Sequence, residues 1–240
     1  MARLDCSFAE LDAIGAALGV TLWRFPFTTP CFGGLGREAR FAAVKTALEA
    51  RGLISGTRFT AELEETLTTF ATAPTTIATT GMADRRPIIA AVAVHGKRAI
   101  LAVQSESRIA YTPVTAEGAP RAAVGLLPAL RPGPGGSITF TTGREPAAHT
   151  YLRAAPSAVD PASRAAQALL SRPRLGGGSF LISTTTPRLP PDSISWLDTD
   201  AGRHAVTTTP SPDGALHTTY TPADQARISH LIARSLTKFT

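Results

Sequence analysis

The chain has no long apolar run: no window approaches the roughly 18 consecutive apolar residues with which a helix crosses a bilayer. Nor does it open like an export signal, since Met1-Ala2-Arg3-Leu4-Asp5 puts charge where a secretory apolar core would begin. Both features predict a cytoplasmic protein. Cysteine is scarce as well. Cys6 and Cys31 are the only two and form no CxxC, so reduced thiols are expected rather than a disulfide framework. With 240 residues the chain needs no such staple, because a globule of this size buries roughly 70–75% of the surface its unfolded chain exposes.

Lysine is nearly missing. Of 24 basic residues only Lys45, Lys97 and Lys238 are lysines, and against 18 acidic residues the net charge is +6. A basic protein raises the question of nucleic acid, but the distribution argues against it. No basic run exceeds two residues, as in Arg85-Arg86, and no Arg/Lys segment is interleaved with the aromatics that base stacking requires. Arginine in place of lysine, with abundant Ala, Gly, Pro and Thr, reads as the coding bias of a GC-rich genome. A basic adaptor or nucleic-acid-binding protein without enzymatic activity therefore stands as the second reading.

Catalytic strings are also lacking. No serine sits in GxSxG, and no two of His95, His149, His204, His217 and His230 are spaced i, i+4. His204 and His217 would share a metal only if neighbouring strands brought them together, and surface histidines on strands are the commoner case. Asp198 and Asp200 look like a carboxylate pair but precede Gly202 in a hairpin pattern, where aspartate serves the turn. Gly34-Leu-Gly36-Arg-Glu-Ala39 matches a dinucleotide fingerprint as a string, yet a helix leads to a helix where a parallel strand is needed. Gly133–Gly136 and Gly176–Gly178 lack the Lys-Ser/Thr ending of a phosphate loop and read as flexible linkers. The chain is expected to be no enzyme and to hold neither cofactor nor metal.

What is present is a clear order of elements. Ser7 and Glu10 form a capping box ahead of Leu11, Ile14 and Leu18, with Gly19 as the stop. A second helix is predicted from Arg37 to Arg51 with Phe41, Val44 and Leu48 on one face, and a third from Thr60 burying Leu63, Leu67 and Phe70. Short β-branched runs follow at Thr75–Thr80, Pro87–Val94, Arg98–Gln104 and Arg108–Thr112, an antiparallel meander punctuated at Gly96. A short helix is expected over Pro120–Leu130, then a Pro/Gly linker over 131–136. Beyond it come a strand at Ser137–Thr141, helices at Glu145–Arg153 and Pro161–Ser171, strands at Phe180–Thr184, Ser193–Asp198, Arg203–Thr208 and Leu216–Tyr220, and a last helix with Thr221 as N-cap.

The halves read alike. Gly96-Lys-Arg-Ala-Ile100 matches Gly202-Arg-His-Ala-Val206, and Tyr111-Thr-Pro113 matches Tyr220-Thr-Pro222. The fold expected is α+β in one domain spanning 1–240: a quasi-twofold duplicated antiparallel sheet of two four-strand meanders flanked by helices, with repeat halves at about 1–130 and 137–240.

Several segments then carry a resemblance. Gly178-Ser-Phe-Leu-Ile-Ser183, Ile194-Ser-Trp-Leu-Asp-Thr199, Ala201-Gly-Arg203 and Tyr220-Thr-Pro-Ala-Asp224, with Ala47-Leu-Glu-Ala-Arg-Gly-Leu53 and His95-Gly-Lys-Arg-Ala-Ile100 in the N-terminal half, resemble the EspG family over nearly the whole chain. The resemblance implies a cytosolic chaperone of type VII (ESX) secretion that binds PE–PPE heterodimers and keeps them soluble until export. It also implies that the partner meets the C-terminal helical region and the sheet. On that basis Tyr151, Leu152, Leu169, Leu170, Trp196 and Tyr220 are the candidate partner-binding residues. For Leu169, Leu170 and Trp196, core packing is the better reading.

Overall fold

The computed structural model describes residues 3–28, 37–56, 58–142, 161–185, 189–212 and 214–239. It opens with β1 (Leu4–Ser7), α1 (Phe8–Leu18), α2 (Arg37–Ala50), the small hairpin β2 (Ile54–Ser55) and β3 (Arg58–Phe59), and α3 (Ala61–Thr72). A meander follows, of β4 (Thr75–Ala83), β5 (Arg86–His95), β6 (Arg98–Ser105) and β7 (Arg108–Thr115), closed by α4 (Ala119–Val124). Then come β8 (Ile138–Thr142), α5 (Pro161–Leu170), a second meander of β9 (Arg174–Thr184), β10 (Asp192–Thr199), β11 (Gly202–Pro210) and β12 (Leu216–Pro222), and α6 (Gln225–Leu236). The expected Glu145–Arg153 helix and the Asp160 cap lie outside the described residues.

All but the β2–β3 hairpin join one ten-stranded sheet, ordered β1-β7-β6-β5-β4-β9-β10-β11-β12-β8, in which every strand pairing is antiparallel. The two meanders meet along β4 and β9, paired from Thr75 with Thr184 to Ala83 with Gly176. The order reads the same from either end: an early strand, the meander in reverse, the seam, the second meander, and again an early strand.

Local chemistry accounts for the ends. Ser7 Oγ accepts from Glu10 N at 3.2 Å while Ser7 N donates to Glu10 Oε2 at 2.6 Å, the two bonds of a capping box, and Gly19 closes α1 at φ 67°. Thr60 caps α3 through Leu63 N at 3.4 Å. The last helix begins later than predicted. Thr221 and Pro222 still pair with Ala205 and His204 as the end of β12, and Asp224, accepting from Arg227 N at 2.8 Å, is the N-cap.

Cross-strand partners share a face of a sheet, so the register sorts the core. One face carries α1, α2 and α3, packed through Leu11, Ile14, Leu48, Leu63, Leu67 and Phe70 on Ala91, Ala102 and Tyr111. That face also carries α5, over Leu197 and Tyr220. The opposite face carries α4 and α6, whose Val124, Ile228 and Ile232 join Ile77, Val92, Phe180, Ile194 and Trp196.

The glycines at 176–178 are not a linker: all three lie inside β9. Trp196 explains them. A Cβ on Gly178 would stand 2.4 Å from the indole and 2.2 Å from Thr80 O, and one on Gly81 across the seam 2.7 Å from the same indole. The indole is 2% exposed and packs against Phe180 at a centroid distance of 5.0 Å. Gly178→Ala should therefore lower the unfolding free energy in urea by about 1–3 kcal/mol, the usual cost of overfilling a packed site. Gly136→Ala is the control, since its added Cβ meets nothing within 4 Å, and should stay within about 0.5 kcal/mol of the native protein.

Candidate partner-binding surface

On the face that carries α1–α3 and α5, the helices leave the sheet's centre without a helical cover among the described residues. Its floor runs along β4, β9 and β10. Thr80, Ser179, Leu181, Ser183 and Ser195 are half-buried there, and Ser193 is exposed. At one end of this strip Met82, which pairs with Gly177, is 51% exposed, and Leu175, two residues before Gly177 on β9, is 48% exposed. The nearby β4–β5 connection is the two-residue turn Asp84-Arg85, both left-handed at φ 49° and 62°, which lets antiparallel strands follow their natural twist.

The candidate residues fall into three groups. Tyr151 and Leu152 lie outside the described residues. Leu169, 7% exposed, and Tyr220, 9%, form a small core under α5 with Leu197, and Tyr220 stacks on Phe140 at 5.9 Å. Leu170 is half-buried at its edge. Trp196 lies on the opposite face, beneath α6 in the larger core. Leu169 and Tyr220 thus pack together under α5, and Trp196 packs separately beneath α6. The signal missed in the sequence is the half-exposed floor itself, since Ser, Thr and Gly on a strand look like any solvated strand face.

The metal and carboxylate readings resolve by register. His204 and His217 are on neighbouring strands, but His204 pairs with Pro222 and His217 with Thr209, and they face opposite sides of the sheet. His217 Nδ1 meets Thr141 Oγ1 at 2.9 Å. Among the described residues no group of three or more His, Cys, Asp or Glu is placed to hold a metal ion. Cys6 is buried beneath α1, and burial pushes its thiol up to about 12, so it is no nucleophile; Cys31 lies outside the described residues. Gly34 and Gly36 do too, and α1, not a strand, is the described element before α2.

Asp198 and Asp200 are not a pair. Asp200 is exposed and holds Arg172, at 2.8 Å from Nε to Oδ1. Asp198 is a strand residue, not a turn residue, 2% exposed, and it grips the fully buried guanidinium of Arg203 with bonds of 2.6 and 2.8 Å. Arg203 also donates to Pro128 O at 3.0 Å, its backbone N donates to Arg131 O at 2.9 Å, and its carbonyl accepts from Gly133 N and Ala223 N. These bonds strap residues 128–133 across the start of β11. The expected linker is held in place, at least through Gly133, where a Cβ would stand 1.9 Å from the His204 ring.

Two outcomes follow from this strap. Asp198→Ala leaves a buried guanidinium without its carboxylate and should cost about 3–5 kcal/mol in chemical denaturation; adding Arg203→Met should restore most of that loss. The second concerns His204, 2% exposed, whose Nδ1 has no hydrogen-bond partner among the described residues. Burial holds its pKa below the ordinary value. A histidine depressed on folding contributes stability that is whole above its unfolded value of about 6.5 and is lost as pH falls through the folded one. Stability of the native protein should thus decline more steeply from pH 7.5 to about 5 than that of His204→Asn, and parallel curves would remove His204 from the account.

With the geometry in hand, comparison places the chain among known proteins. The EspG family model matches residues 7–234. The chain belongs to the EspG family. A search of curated proteins finds no match. Among solved structures, the fold is similar to that of the Mycobacterium tuberculosis type VII secretion system chaperone EspG5, solved in complex with a PE25-PPE41 dimer. The TM-score is 0.62 at 10% identity, over 95% of this chain and 93% of that one. No helix among the described residues is long and apolar enough to cross a membrane.

Proposed function

We propose that this EspG-family protein is a non-catalytic, cytoplasmic chaperone of type VII (ESX) secretion that holds a PE–PPE heterodimer in soluble form until export. Family membership over residues 7–234 carries the reading, and a fold shared with a chaperone solved on a PE25-PPE41 dimer supports it. The strip along β4, β9 and β10 suits the task. It lies between two helical walls, mixes serine and threonine with Leu181 along its floor, and ends in exposed Met82 and Leu175, the mixture with which an interface core and its rim are made. The contact extends from there to the C-terminal helical region, with Tyr151 and Leu152 as anchors, Leu170 at the edge, and Leu169, Tyr220 and Trp196 as the packed support behind them.

The repeated order of strand, helix, meander and helix supports the further reading that 1–130 and 137–240 are copies of one unit. Gly96 and Gly202 fall at equivalent hairpins, and Tyr111 and Tyr220 on the corresponding strands β7 and β12. Such an origin gives the chaperone one continuous sheet on which to seat a partner.

Co-expression with the PE–PPE pairs of the source genome, followed by size exclusion, tests the function. The expected result is co-elution with at least one pair. Tyr151→Asp or Met82→Asp should weaken that complex roughly tenfold or more without lowering the melting temperature. Failure to co-elute with every pair, with all chains folded, would refute the assignment.

A further inference from the structure

The two ends of the sheet are finished differently. β1 forms one edge and β8 the other. At β1 side chains occupy the backbone: Arg51 and Arg108 donate to Asp5 O, and Glu10 Oε2 accepts from Ser7 N. Asp5 and Ser7 are alternate residues, so these bonds fall on a single row of the strand's backbone groups. An ion pair of Asp5 with Arg108 adds charge to that edge. β8 has no such guard among the described residues, where its backbone bonds only to β12. The strand Ile138-Thr-Phe-Thr-Thr142 holds neither charge nor proline, the devices that keep an open edge from pairing. The nearest charged residues in sequence are Arg131 and Arg144.

The two sides of β8 say what an added strand must look like. Ile138 and Phe140, half-buried, extend the small core of Leu169 and Tyr220 under α5, and Leu216, on the same side of β12, is 45% exposed. Thr139 and Thr141 are exposed on the reverse side and meet Thr219 and His217 at 2.9 Å. The occupant is therefore a short uncharged strand, apolar toward α5 and hydroxylic on its back. β8 itself has that pattern. We infer that β8 is the pairing edge of a homodimer, in which β8 of a second copy joins it antiparallel about a twofold axis between the two Thr139 residues. An axis normal to the sheet keeps each side of the strand on its own side. It sets Ile138 of one copy opposite Phe140 of the other and Thr139 opposite its own equivalent, cross-strand pairs of the stabilising kind. Because β8 is uncharged, the copies meet there without like charges despite a net charge of +6.

Two strands of five residues bury less than the roughly 1,200 Å² at which standard stable interfaces begin, so the dimer is weak and concentration-dependent. β11 and β12 separate β8 from the strip along β4, β9 and β10. The inference does not rest on the cargo reading, and self-association is measured without cargo.

The test is sedimentation of the full chain from about 5 µM to about 300 µM, over which the average mass should rise toward twice that of one chain. Thr139→Lys places like charges directly opposite each other and should weaken self-association about fivefold or more. Thr209→Lys, exposed on the same side of β11 and two strands from the edge, should leave it within about twofold. Circular dichroism of the dilute protein should be unchanged in both. In a Cys31→Ser background, Thr139→Cys should give a disulfide-linked dimer on mild oxidation, because directly opposed strand residues lie about 4.5–5.5 Å apart at Cα, within reach of a disulfide. Thr209→Cys should not. A monomer at every concentration, a dimer that Thr139→Lys leaves intact, or equal cross-linking at both cysteines would overturn the inference. So would a monomer whose Thr139→Lys variant loses only its complex with PE–PPE, since the edge would then belong to cargo.

Discussion

The Arg203–Asp198 pair governs how the second half of this molecule is assembled. A guanidinium with no exposure is tolerable only where its charge is matched; here Asp198, one hairpin away across Asp200 and Ala201, takes Nε and Nη2, while Nη1 has no partner among the described residues. From that point Arg203 takes the carbonyl of Pro128, while its backbone binds Arg131, Gly133 and Ala223. One residue therefore joins the loop after α4, the strap, the start of β11 and the entry to α6. The geometry demands Gly202 as well: its φ is 134° and a Cβ there would stand 2.7 Å from Arg131 O. Chain that composition marks as a loose connector is instead the part whose path is most closely specified by hydrogen bonds.

A second constraint sets the seam. Two meanders can form one sheet only if β4 and β9 are both willing to be central strands, and glycine is a poor central-strand residue because it offers no side chain and loses much entropy. At Gly81 and Gly178 that weakness is offset by what the bare backbone admits, the far edge of the Trp196 indole, which stands against both strands. The large core under α4 and α6 is organised around that ring, which is why the strongest aromatic in the C-terminal half is unavailable as an interface anchor.

The parts of the fold that were legible in the sequence are those decided locally. Ser7 and Glu10 announce α1, Thr60 announces α3, Gly96 marks its hairpin, and the eight meander strands alternate or cluster their β-branched residues as expected. What was illegible depends on distant partners. β1 is four residues with two polar positions, and it is a strand only because β7 offers it an edge. Gly176–Gly178 read as linker because nothing near them in sequence mentions Trp196. Asp198 reads as a turn residue because buried arginine is rare and nothing near Arg203 in sequence marks it as one. The α6 cap moved from Thr221 to Asp224 because β12 keeps pairing until Pro222. The candidate site was less legible than the fold, since an interface and a core draw on the same apolar residues: only the register separates Trp196, on one face, from Leu169 and Tyr220, on the other.

That separation of faces bears on how a protein with net charge +6 holds a partner without attracting every acidic one. Acidic side chains gather on α3, beside the strip, while unpaired arginines gather on α4 and α6, across the sheet. A long-range field steers encounters, but it is screened within about 8–10 Å in physiological salt, so a partner approaching one face senses little of the charge on the other. On the proposed reading, affinity at the strip comes from the apolar and polar contacts of Met82, Leu175 and the serine-lined floor, with charge acting at the rim on rate and specificity. The ten-stranded sheet keeps these charges apart, because its two faces are covered by different helices while sharing one backbone.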